Sequence, residues 1–161
     1  MKEQEDQAII DTPIGQAQII GDENGLRSVS VLEQESQLSD RIPVSLQPCV
    51  DQLNEYFQGI RKDFELKLNP QGTEFQKQIW QLLQQIPYGT TTTYQEQAQR
   101  FGDLKAIRAV ASANGKNPLW VIIPCHRVIG KDGSMTGYAG GLWRKRWLLE
   151  HENPPKQTSL F

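Results

Sequence analysis

The sequence predicts an α+β protein in which a small antiparallel sheet with one helix precedes a mostly helical, winged-helix-like domain. Three observations carry this prediction. Short apolar runs separated by turn residues fill the opening of the chain, and apolar residues at helical spacing dominate beyond Gly72. Charge divides at the same place. Residues 1–72 hold 6 Lys or Arg against 13 Asp or Glu, and residues 73–161 hold 11 against 6.

Residues 7–11, 16–21 and 26–32 read as strands, joined in a meander. Asn24-Gly25 supplies the second turn, because this pair readily takes positive φ. A polar loop around residues 36–43 leads into an amphipathic helix over 47–57, where Val50, Leu53, Tyr56 and Phe57 share a face. Gly59 ends it, and Phe64, Leu66 and Leu68 alternate as a strand does. Asn69-Pro70-Gln71-Gly72 is turn chemistry and marks the expected boundary between an N-terminal domain, 1–72, and a second domain, 73–153. Thr73 and Gln76 form a capping box for a helix whose stripe is Phe75, Ile79, Leu82, Leu83 and Ile86. Pro87-Tyr88-Gly89 stops it. Thr93 and Glu96 form a second box for a helix to about Phe101, and Asp103 caps a third over 104–114. Two helices joined by so short a turn make a helix-turn-helix, an arrangement used to enter a DNA groove and, more commonly, only to pack. Residues 142–151 read as a last helix, and residues 154–161 as a flexible tail.

Whole-chain properties narrow the class. A net charge of −2 looks wrong for a nucleic-acid partner, but phosphate binding is local and the second half is basic by +5. No apolar stretch approaches a membrane span, and the charged start lacks a signal-peptide core, so a cytoplasmic protein is expected. Two cysteines, Cys49 and Cys125, are too few for a disulfide framework, and a Cys/His zinc site would consume every such residue. No structural metal and no cofactor are expected.

The chemistry concentrates in Ile123-Pro124-Cys125-His126-Arg127-Val128, between an apolar run at 119–123 and a glycine-rich stretch at 130–141. A thiolate is the reactive form of cysteine, and an adjacent imidazole is a ready base. A bare Cys-His pair is weak, since most buried cysteines are inert. Its setting is specific. Asn117-Pro118, then Pro124-Cys125-His126-Arg127-Val128, then Gly137-Tyr138-Ala139-Gly140-Gly141-Leu142 and Trp147-Leu148-Leu149-Glu150-His151-Glu152 together resemble the O6-alkylguanine-DNA alkyltransferase family. The resemblance runs without a gap from Tyr94 to Glu152 and extends back to Thr73.

It implies a ribonuclease-H-like N-terminal domain and a monomer acting on double-stranded DNA containing O6-alkylguanine, with O4-alkylthymine as a lesser substrate. Cys125 matches the alkyl acceptor, which ends as a thioether, so the protein acts once. His126 matches the water-linked base, and Glu152 the acid that orients it; Glu150 competes with Glu152 by residue type. Asn117 matches the side chain that ties the recognition helix to the cysteine turn. Arg108 matches the arginine that replaces the extruded nucleotide in the stack, a role that Lys105 fits equally by composition. Tyr94 matches a tyrosine that crowds the phosphate 3′ to the target, while Tyr138 and Ala139 match walls of the base pocket. Arg127 is expected to pair with a carboxylate near the site, without a catalytic role.

The chain departs from the pattern at three places. The zinc ligands that some members carry near the N-terminus are missing, Ala111 stands where glycine is common, and Trp120 stands where proline is frequent. A related group with tryptophan at the cysteine position binds lesions without repair, and Cys125 argues against that reading. A lesion sensor and a Cys-His-Glu thiol hydrolase are the alternatives, the second lacking any oxyanion-hole signature. Gln157, Leu160 and Phe161 at the C-terminus resemble the peptide with which bacterial DNA-processing proteins dock on the replication sliding clamp.

Overall fold

The computed structural model describes residues 5–135, 137–138 and 140–154. Ala139 and the clamp-like residues Gln157, Leu160 and Phe161 lie outside the described residues.

The protein is α+β, with the sheet first and the helices after it. Strands β1 (Asp6–Thr12), β2 (Gly15–Asp22) and β3 (Gly25–Val31) form an antiparallel sheet in sequential order. Ala8 and Ile10, Ala17 and Ile19, and Leu26 and Val29 point to the buried face. Helix α1 (Gln47–Phe57) covers that face with Cys49, Val50, Leu53 and Tyr56. Burying a large aliphatic or aromatic side chain contributes about 1.5–3 kcal/mol, so this layer is what holds the sheet closed.

The outer edge of β3 is covered twice. Leu26 N–H donates to Lys67 O (2.9 Å) and Asn69 N–H to Leu26 O (2.7 Å). One pairing step on, Val29 N–H donates to Pro118 O (2.9 Å) and Trp120 N–H to Val29 O (3.0 Å). An exposed edge is thereby used up. The expected strand at 64–68 is a correction: only Leu68 forms a bridge, to Leu26, because the edge is shared with 118–120 and no longer segment can lie along it. Its alternating Phe64, Leu66 and Leu68 still pack against the core.

Helix α2 (Glu74–Leu83) starts on the predicted capping box, with both halves formed: Gln76 N–H donates to Thr73 Oγ1 (3.1 Å) and Thr73 N–H to Gln76 Oε1 (3.0 Å). Trp80, which lies off the predicted stripe, is buried and donates its indole N–H to Ala113 O (2.9 Å). Strand β4 (Thr92–Thr93) is two residues long and leads directly into α3 (Tyr94–Phe101). Here the second box is half made. Thr93 accepts from Glu96 N–H (3.1 Å), but the Glu96 carboxylate takes the Thr92 hydroxyl (2.7 Å) instead of reaching back. After Gly102, Asp103 caps a single 3₁₀ turn over Leu104–Ala106, and α4 (Ile107–Gly115) begins three residues later than expected.

Helices α2, α3 and α4 close a small core of Ile79, Ala98, Val110 and Ala113. The buried amides of Gln97 and Asn114 satisfy each other across it, at 3.0 and 2.6 Å. β4 pairs in parallel with β5 (Val128–Ile129), and α5 (Leu142–Glu152) returns along the main core through Leu148. That main core includes residues from both halves of the chain, Ile19 and Leu53 beside Leu119, Ile123 and Leu148.

Gly72 leaves no room for a side chain. A Cβ there would meet Trp80 Cη2 at 2.6 Å and Gln76 Oε1 at 2.7 Å. Gly72→Ala should therefore lower stability by about 1–3 kcal/mol, by moving Trp80 and opening the box. Urea denaturation measures this, and an unchanged midpoint would show that the contact relaxes freely.

Candidate active site

The stretch 117–128 is a series of tight turns buried between sheet and helices. Ile122 N–H donates to Trp120 O (2.8 Å), closing a γ-turn on Val121 with φ +71°. This is the strained hand of that turn, and for a β-branched residue it costs on the order of 1–3 kcal/mol. The packing that pays is visible: Leu119, Val121 and Ile123 are all buried in the main core. Two residues later Cys125 N–H donates to Ile123 O (2.8 Å) across Pro124, whose φ −83° and ψ 63° are those of the relaxed inverse γ-turn. Proline thus pre-sets the bend that presents Cys125.

Cys125 opens a 3₁₀ turn, Cys125–Arg127, and its side chain is half-buried. Asn117 donates from one amide nitrogen to Ile123 O (2.7 Å) and to Cys125 Sγ (3.3 Å), while its oxygen accepts Leu119 N–H (2.9 Å). It ties the end of α4 to the turn that carries Cys125. Burial pushes the Cys125 thiol up, and the Asn117 amide and the nearby Lys145 charge draw it back in part. Lys145 is itself buried, on α5, and burial lowers its pKa while Cys125 opposes the shift.

His126 is fully buried and donates from Nε2 to Glu152 Oε2 (2.7 Å), since a carboxylate can only accept. That bond selects the tautomer and leaves Nδ1 as the basic nitrogen, with no hydrogen-bond partner among the described residues. Glu152 collects further donors: Tyr56 O–H (2.6 Å), Arg127 Nε (2.8 Å), Arg127 Nη2 (3.0 Å) and Gly89 N–H (3.3 Å). Arg127 also donates to Ile86 O (2.6 Å). Burial would raise the Glu152 carboxyl, but the hydrogen bonds from His126 and Arg127 and the Arg127 charge outweigh it and hold it well below the usual range. Burial lowers His126 despite the Glu152 contact. The two directions agree physically, because Arg127 already neutralises Glu152 and the imidazole stays uncharged.

Cys125 faces a cleft of about 270 Å³ lined by Ser28, Val31, Tyr94, Asn114, Trp120 and Tyr138 among others. Tyr94, the first residue of α3, sits on its wall. Ala111 and Gly115 border it from α4. Arg108 is exposed three residues before Ala111, on the same side of α4, and is not among the residues that line the cleft. Lys105 is exposed as well, on the preceding turn.

The structure thus brings Cys125, His126, Glu152 and Asn117 into one connected cluster, with Tyr94 and Tyr138 on the cleft. Between the two carboxylates left open, Glu152 meets His126, and Glu150 is exposed. Arg127 pairs with that same carboxylate. Three contributors escaped the sequence reading. Tyr56 was counted only as an apolar stripe residue, although a buried tyrosine hydroxyl generally needs a partner. Lys145 was one cation among several on α5. The β3 residues 28–31 came from the half of the chain that carried no motif.

A half-buried thiol held by Asn117, next in the chain to a carboxylate-locked histidine and opening on a cleft beside α3 and α4, is the arrangement of a thiol-acceptor protein. Comparison with known proteins makes this specific. Residues 7–70 match the ribonuclease-like domain of 6-O-methylguanine DNA methyltransferase, and residues 74–154 match its DNA binding domain. A methylated-DNA–protein-cysteine methyltransferase of Methanosarcina acetivorans is 45% identical, covering 90% of this chain and 96% of its own. The crystal structure of the Mycobacterium tuberculosis O6-methylguanine methyltransferase superimposes with a TM-score of 0.85 at 41% identity, covering 98% of both chains. A structure of the M. tuberculosis protein in complex with DNA gives 0.81 at 46% identity, over 89% of this chain and 90% of that one. The chain belongs to the 6-O-methylguanine DNA methyltransferase family.

Acid should destabilise the protein in two steps. His126 is held below its ordinary 6.5, so the unfolded chain binds the proton first and stability falls as pH drops below about 6.5. Glu152 is held below its ordinary 4.5, and its contribution is lost as pH falls further, through the depressed folded value. Denaturation midpoints between pH 8 and pH 4 measure the first step, and their continuation to pH 2 the second. A flat profile from pH 7 to 5 would show that His126 protonates in place.

Proposed function

We propose that this protein repairs DNA by direct reversal, moving the alkyl group of O6-alkylguanine, and less well that of O4-alkylthymine, onto Cys125. The observation that carries the reading is the chain of contacts from Glu152 through His126 to the turn that holds Cys125, set on a cleft beside α4. Sγ attacks the O6-linked carbon, the carbon–oxygen bond breaks, and its electron pair leaves with the guanine. His126 Nδ1 takes the thiol proton through a water, as the tautomer held by Glu152 permits. A burial-raised thiol needs such a base at neutral pH. The product is a thioether that no group in the site hydrolyses, so each molecule reacts once.

The target carbon is stacked inside a duplex, and reaching it requires the nucleotide to be extruded. Arg108, exposed on α4, fills the stack, Tyr94 crowds the phosphate 3′ to the lesion, and Tyr138 and Ala139 receive the base. Asn117 positions Cys125, and Arg127 positions Glu152. On this reading residues 73–153 hold the DNA and the thiol, and residues 1–72 buttress them through β3. The protein works as a monomer in the cytoplasm, where a free thiol persists. The tail residues Gln157, Leu160 and Phe161 are a docking peptide for the sliding clamp.

Mixing the protein with duplex carrying labelled O6-methylguanine should transfer at most one equivalent of label, all to Cys125. Multiple turnovers would indicate a hydrolase, and binding without transfer a lesion sensor. Arg108→Ala should slow repair of the duplex about a hundredfold, a few kcal/mol of unstacking no longer compensated, while reaction with free O6-benzylguanine changes far less. Equal losses on both substrates would remove Arg108 from that role.

A further inference from the structure

The cleft that Cys125 faces carries two buried donors with no hydrogen bond of normal geometry among the described residues. Trp120 is 7% exposed, lines the cleft with Cys125, and its indole Nε1 has no hydrogen-bond partner among the described residues. The Tyr138 hydroxyl, on the same cleft, is buried and lacks one too. The two groups are neighbours. Burial pushes the Tyr138 phenol well up, and the Trp120 N–H beside it opposes the shift, although no hydrogen bond of normal geometry joins them.

Trp120 is fixed by its backbone pairing to Val29 (3.0 Å), by the strained γ-turn on Val121, and by Phe57, whose ring centroid lies 6.1 Å away. Gly140 allows the approach, since a Cβ there would meet Tyr138 Cε2 at 3.2 Å and Trp120 Nε1 at 3.5 Å. A buried donor left unpaired costs about 1–3 kcal/mol. A purely apolar adduct leaves that cost standing; one bearing an oxygen removes it.

We propose that Trp120 Nε1–H and Tyr138 O–H form a recognition site for O6-adducts that carry a hydrogen-bond acceptor, so that the protein favours oxygenated alkyl lesions over apolar ones of equal size. The inference rests on the alkyl-transfer reading and deepens it by naming the adduct class. Trp120, which stands where proline is frequent in the resembling family, is the specificity-determining residue on this account. The transfer itself is unchanged: Sγ bonds to the O6-linked carbon, the guanine departs with the electron pair, and the distal oxygen stays on the group carried by Cys125.

The test compares single-turnover rates on duplexes containing O6-(2-hydroxyethyl)guanine and O6-propylguanine, whose adducts have the same number of heavy atoms. The full chain should transfer the hydroxyethyl group faster. Tyr138→Phe and Trp120→Phe should each lower the hydroxyethyl-to-propyl ratio about fivefold, the loss of one ordinary hydrogen bond, whatever they do to either rate alone. A wild-type preference for propyl, or a ratio that neither variant moves, would overturn the proposal. Absence of transfer from O6-methylguanine by the wild-type protein would instead overturn the alkyl-transfer reading, so the two failures are distinct.

Discussion

The buried carboxylate of Glu152 is the interaction on which the rest of the structure depends. It receives donors from α1 through Tyr56, from the cysteine turn through His126 and Arg127, and from the loop after α2 through Gly89. Removing one member of such a buried pair typically costs about 3–5 kcal/mol, because the other charge is left uncompensated. The cluster is therefore a clamp on tertiary structure as well as an orienting device. It joins residues 96 positions apart, and through His126 it reaches the residue next to Cys125 in the chain.

The second organising constraint is strain placed beside the nucleophile. Residues 117–125 pair with β3 only around Val29 before bending sharply at Val121. The bend sends Trp120 to the cleft and lets Pro124 present Cys125. A surrounding core of Leu119, Ile123 and sheet residues outweighs the unfavourable φ. Rigidity here suits a reaction whose main demand is that sulfur, carbon and leaving oxygen line up.

Charge is distributed unevenly between the two halves of the chain. Exposed Lys105 and Arg108 sit on the α4 side, whereas β3 contributes neutral Ser28 and Val31 to the cleft wall. A net charge of −2 therefore says little about what the protein binds, because the field near the cleft is set by its own neighbours.

Much of this was legible in one dimension. The sheet meander, α1, the Thr73 box and the Cys125-His126 motif rest on local chemistry, alternation, capping and turn residues, which act over a few positions. The family resemblance supplied expected roles for Asn117, Arg108 and Glu152, and of the two carboxylates it is Glu152 that meets His126 while Glu150 is exposed. Local reasoning failed where a distant partner decided the outcome. Phe64, Leu66 and Leu68 alternate like a strand, but the β3 edge was already shared with 118–120. Glu96 had the right spacing for a box, but the Thr92 hydroxyl was nearer. Tyr56 joined the site because folding placed Glu152 against its hydroxyl. Spacing in sequence determined which helices and turns form and which residue is the thiol. Only the tertiary structure decided which buried polar groups meet, because that depends on contacts between segments far apart in the chain.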